Sequence, residues 1–73
     1  MEKIVIHTDM IQLDQLIKWH GLIETGGQIK FFLEEHPVQI NGIPCHEKRK
    51  KIHVGDEVVI QGVGSFIIEL GEE

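Results

Sequence analysis

Four consecutive cations, Lys48, Arg49, Lys50 and Lys51, interrupt a chain that is otherwise acidic. Seven of its 73 residues are lysine or arginine and twelve are aspartate or glutamate, for a formal charge of −5; outside the run, three lysines face twelve acids, a balance of −9. A polyanion is repelled by most of such a surface and attracted at one spot. Charge runs often do no more than face water. A run in a connection between strands, however, concentrates charge beside a groove, and phosphate contacts of that kind supply much of nucleic-acid affinity. The second stretch with chemical content is Thr25-Gly26-Gly27-Gln28, followed by Lys30. Thr25 and Gln28 stand three apart as a capping pair. Two adjacent glycines are poor choices for a first helical turn, each about 1 kcal/mol worse than alanine. What they offer is bare backbone at a positive dipole end, open to close approach by a phosphate, with Lys30 within one turn. Lys18 lies opposite the apolar stripe of the preceding helix, where it is expected to be exposed and presented alongside Lys30.

Other chemistry is sparse. Trp19 falls at the edge of one helical stripe, and Phe31 lies far from the Ile29-Phe32-Leu33 stripe of the next. Aromatics in such places can stack on unpaired RNA bases. In so small a domain both are instead expected to cover the core or the N-terminal strand. The five histidines show no metal spacing, and Cys45-His46 is an isolated pair. A single cysteine excludes an internal disulfide and any paired-cysteine zinc site, and points to a reducing cytosol. Cys45 alternates with Ile43 and is expected to point inward as a small hydrophobe. Ser65, the only serine, has no nucleophile elbow around it, and Gly62-Val63-Gly64 lacks the third glycine and the helix of a dinucleotide loop. No spacing pairs a general acid with a base. The expectation is a protein that is not an enzyme and carries no cofactor or metal.

The elements that must position these residues follow from periodicity. An apolar share of 41% with 26% charge suits one folded domain. The apolar runs are too short for a membrane span, and Met1-Glu2-Lys3-Ile4 does not open a signal peptide. Residues 3 to 7 read as a strand. Asp9 and Gln12 form a capping box, and Met10, Leu13, Leu16, Ile17 and His20 share one face, predicting a helix over 10 to 20 closed by Gly21. Ile29, Phe32, Leu33 and His36 predict a second helix ended by Pro37. From there the period becomes two. Val38 and Ile40 precede an Asn41-Gly42 hairpin turn; Ile52 and Val54 precede a Gly55-Asp56 turn and a strand over 57 to 61; Ser65 to Leu70 form a last strand. That last strand is read as exposed and able to pair with another chain. The predicted class is α+β, two short helices packed on a small, mostly antiparallel sheet, as one domain over 1 to 73.

From Ile11 to Ile60 the chain resembles the RNA-binding domain named after ribosomal protein S-four, and in particular its short single-domain YaaA/YbcJ-type members. The resemblance rests on "LDQLIK" in the first helix, "TGGQIK" opening the second, a "V-x-I-N-G" turn, the basic loop and "K-I-x-x-G-D-x-V". Many members open the second helix with a serine-arginine pair, where this chain has Gly26-Gly27. The resemblance implies binding to structured RNA, ribosomal RNA or an assembling ribosomal particle, through the helical pair and the basic loop. The residues expected to carry it are Lys18, Thr25, Gly26, Gly27, Gln28, Lys30, Lys48, Arg49, Lys50 and Lys51, in a cytoplasmic protein with no membrane contact. The rival reading is a protein-interaction domain of the same fold whose acidic surface binds a basic partner, such as a ribosomal protein.

Overall fold

Alternation of apolar and polar residues builds the main sheet. In β1 (Glu2–Ile6), Ile4 and Ile6 are buried; in β3 (Val38–Ile40), Val38 and Ile40; in β6 (Glu57–Ile60), Val58 and Ile60; in β7 (Gly64–Leu70), Phe66 and Ile68. Every second side chain of a strand points the same way, so these eight form one continuous apolar face. The computed structural model describes residues 1–71. With β4 (Ile43–Cys45) the five strands run in the order β1-β7-β6-β3-β4. Three neighbouring pairs are antiparallel and one, β1 with β7, is parallel. A separate two-stranded ladder joins β2 (Met10–Gln12) to β5 (Lys51–His53).

Two helices close the apolar face. Helix α1 (Leu13–Trp19) buries Leu13, Leu16 and Ile17, and α2 (Ile29–Glu35) buries Ile29, with Phe32 and Leu33 half-buried beside the core. Ile23 from the connection and Ile52 from β5 complete the same cluster. The His20 ring stands edge-on to Phe66, with centroids 5.1 Å apart, which ties the end of α1 to β7. Among the described residues no polar or charged side chain is buried, and no helix is long and apolar enough to cross a membrane. The α+β class expected from periodicity is the observed one.

Several local expectations are corrected. The first helix starts at Leu13 rather than 10, because Met10–Gln12 is drawn into the ladder with Lys51–His53. Its N-cap is therefore Gln12, whose N–H donates to Gln15 Oε1 at 3.3 Å, and Asp9 lends no side chain to it. Its end is as read: Gly21 at φ +83° supports Leu22 N–H to Ile17 O at 3.1 Å and Gly21 N–H to Lys18 O at 3.1 Å, the paired bonds of a Schellman cap. The last strand is not an edge, since β7 lies between β1 and β6; the free edges belong to β1 and β4. Cys45 is half-buried against the core, but Ile43, which shares its side of the strand, is 69% exposed because the hairpin runs past the core there.

Candidate nucleic-acid interface

The basic run is a fixed object. Lys48 and Arg49 form a turn, Lys50 follows, and Lys51 opens β5, so the run is a loop only over its first three residues. Lys50 O accepts from Leu13 N–H at 2.9 Å and Lys48 O accepts from Asp14 N–H at 2.8 Å. The first N–H groups of a helix lack intrahelical partners. Here the backbone of the basic run supplies them, while its four side chains stay exposed.

Lys18 and Lys30 are likewise exposed. Asp14 and Lys18 are four residues apart on α1, hence on one face about 6 Å apart along the axis. Lys18 therefore stands one turn beyond the point where the basic run docks, on the same helix face. Its carbonyl also takes the Gly21 bond, which puts it at the entrance to the connection that leads to Thr25. In that connection Gly26–Gln28 form a single 3₁₀ turn that runs into α2. Gln28 Oε1 accepts from Thr25 N–H at 3.0 Å and from Glu24 N–H at 2.6 Å. Neither glycine has a positive φ. A Cβ at Gly26 would meet nothing within 4 Å, and one at Gly27 only Thr25 Oγ1 at 3.9 Å. Nothing within the fold requires glycine at either position, so the bare backbone faces open space.

Ion pairing separates these cations from the rest of the surface. Lys3 lies 3.9 Å from Glu69 across β1 and β7. Among the described residues no other lysine or arginine has a carboxylate within 4.0 Å, which leaves six of the seven cations unpaired in a chain of net charge −5. Those six are Lys18, Lys30 and the run from Lys48 to Lys51.

The aromatics are corrected by the structure. Trp19 is 62% exposed and Phe31 is 67% exposed, so neither covers the core or β1. Each follows an unpaired lysine in sequence, Lys18 and Lys30. The signal for Phe31 was its distance from the α2 stripe; for Trp19 the small size of the domain argued wrongly for burial. Phe66 is buried in the core as a strand residue.

Sequence reading placed the turns at Asn41-Gly42 and Gly55-Asp56 but missed the side-chain bonds that join them. Asn41 at φ +53° and Gly42 at φ +82° make the tight hairpin turn. Asn41 Nδ2 donates to Asp56 Oδ1 at 3.0 Å, and Glu57 N–H donates to Asn41 Oδ1 at 2.9 Å. Asp56 Oδ2 accepts from His53 N–H at 2.8 Å. These bonds lock the β3–β4 hairpin to the β5–β6 turn and so hold β5, which begins at Lys51.

The motifs and the geometry meet in one family. Residues 4–69 match the family model of the S4 domain, a span that takes in most of β1 and of β7 as well as the helix pair and hairpin. A Bacillus subtilis (strain 168) protein described as "Probable ribosome maturation protein RlbA" is 46% identical over 63 residues, covering 86% of this chain and 89% of that protein. A match over nearly all of the folded region, together with identity at that level, makes the family plain: the chain belongs to the S4 domain family.

Proposed function

We propose that this chain is a non-enzymatic, cytoplasmic RNA-binding module that recognises the shape of structured RNA, either ribosomal RNA or an assembling ribosomal particle. Membership of the S4 domain family and similarity to a protein described as a ribosome maturation protein support an RNA-binding role connected with the ribosome. The observation that carries the reading is the set of unpaired cations: in a chain of net charge −5, the six that lie on α1, on α2 and in the basic run are without carboxylate partners among the described residues. Lys48, Arg49, Lys50 and Lys51 contact phosphates on one side. Lys18, Lys30 and the open backbone at Thr25, Gly26, Gly27 and Gln28 contact a second stretch of RNA backbone. Trp19 and Phe31 stack on unpaired bases beside it. Few side chains here suit base edges, so shape rather than sequence is read.

The test is the salt dependence of binding to ribosomal RNA fragments. Each phosphate contact contributes roughly 0.7 to 0.9 to the slope of log affinity against log salt, so replacing Lys48, Arg49, Lys50 and Lys51 by glutamine flattens the slope by as much as about 3. Affinity falls similarly across RNA sequences. The fold survives, because the contacts to α1 are made by carbonyl groups rather than side chains. A folded variant with parental slope and affinity sinks the RNA reading. A parent that purifies free of nucleic acid and ignores RNA, yet binds a basic ribosomal protein, establishes the rival.

A further inference from the structure

Between the β3–β4 hairpin and β5 lies a groove of which the proposed phosphate contacts use only Lys50 and Lys51. One wall is formed by Ile43, Pro44 and His46, and the other by Lys50, Lys51 and His53. Ile43 is 69% exposed although its ladder partner Ile40 is buried. Another strand does not explain that exposure. Pro44 sits in the middle of edge strand β4 opposite Gln39, and a proline has no N–H to give to a further strand. What remains is an apolar surface of isoleucine and proline directly across from two cations that have no carboxylate partner among the described residues.

The carboxylates in the groove do not cancel this arrangement. Asp56 uses Oδ1 for Asn41 Nδ2 and Oδ2 for His53 N–H, so both its oxygens are engaged within the protein. Glu47 is an exposed lining residue whose carboxylate can accept from the N–H of a base. An apolar lining beside ammonium groups suits an unstacked nucleotide, with its base against the apolar residues and its phosphate at the lysines.

We propose that this groove takes a single splayed-out RNA nucleotide, its base against Ile43 and Pro44 and its phosphate held by Lys50 and Lys51. The inference rests on the RNA-binding reading and adds to it, since it makes the hairpin, and not only the helices and basic run, part of the RNA surface. It also predicts a preference that phosphate contacts alone do not give: RNA with free bases gains from the groove, and a fully paired duplex does not.

The experiment compares a fluorescently labelled short oligouridylate with a blunt RNA duplex by anisotropy, for the parent, Ile43→Ser, His46→Ala and the quadruple glutamine variant of the basic run. Ile43 is exposed, so Ile43→Ser is expected to melt close to the parent; His46→Ala probes the same wall through an exposed side chain should it not. The expected result is a loss of at least about five-fold for oligouridylate with Ile43→Ser and a smaller one with His46→Ala, duplex binding staying within about two-fold, while the glutamine variant loses both RNAs. If both groove variants bind oligouridylate like the parent and the glutamine variant still loses both RNAs, the groove is overturned and the RNA-binding reading stands. Equal loss of both RNAs in Ile43→Ser overturns it as well, as does a parent that binds ribosomal RNA fragments but neither of these RNAs; a parent that binds none of the three overturns both readings.

Discussion

One amide oxygen organises the start of α2. Gln28 Oε1 takes the N–H groups of Glu24 and Thr25, at 2.6 Å and 3.0 Å, and thereby fixes the chain just before the two glycines. With the turn held from outside, Gly26 and Gly27 are not needed for flexibility or space. Replacing both with alanine is expected to stabilise the protein by up to about 1 kcal/mol per site and to weaken RNA binding at the same time. Melting and titration of this one double variant check it, and unchanged binding would remove the glycines from the interface. Trp19 poses the complementary case. At 62% exposure, Trp19→Ala is expected to cost less than about 1 kcal/mol of stability. If the ring stacks on a base, affinity falls by about 1 to 3 kcal/mol, which is several-fold to over a hundred-fold. A variant that melts far below the parent and binds normally would return Trp19 to a packing role.

At the scale of elements, the hairpin and the turn after β5 act as one piece through Asn41 and Asp56. Asn41→Gly keeps a residue that tolerates φ +53° while deleting both side-chain bonds. It is expected to lower stability by about 1 to 3 kcal/mol, since one of the lost bonds is to a carboxylate. Urea unfolding measures it, and a loss near zero would mean that the turn alone holds the hairpin. This coupling marks where sequence reading stops. The stripes Leu13-Leu16-Ile17 and Val38-Ile40 were legible because burial of one face imposes its period on the residues themselves. The three residues of β2 were not, because their strand character comes from Lys51–His53, far along the chain, and the local capping signal at Asp9 lost to that pairing. The cations of the site were visible as residue types, but their lack of ion-pair partners was not. The exposure of Trp19 was misjudged because α1 has only seven residues and one side of it is enough to close the core.

For the molecule as a whole, charge is divided. Most of the surface belongs to the acids, and Lys3 with Glu69 is the one lysine–carboxylate pair among the described residues. Repulsion among like charges destabilises the compact state and is screened by salt, over a Debye length of about 8 Å at physiological ionic strength. Added salt is therefore expected to raise the melting temperature while it weakens RNA binding. Melting curves and titrations across one salt series check the opposite signs. Stability that falls with salt would show that attraction, not repulsion, dominates the surface.

The parallel pairing of β1 with β7, from Glu2 beside Phe66 to Ile6 beside Leu70, has a consequence in time. A chain is made from its N-terminus, so β1 emerges well before β7, its sheet partner among the described residues. The β3–β4 hairpin rests on local contacts and can form as it emerges, whereas α1 waits for Lys48 and Lys50, whose carbonyls take its first N–H groups. Ile4 and Ile6 cannot enter the sheet until Ile68 and Leu70 are present, and contacts of such long sequence separation close slowly. The five-stranded sheet is thus completed late, because β1 joins it only after β7 has been made.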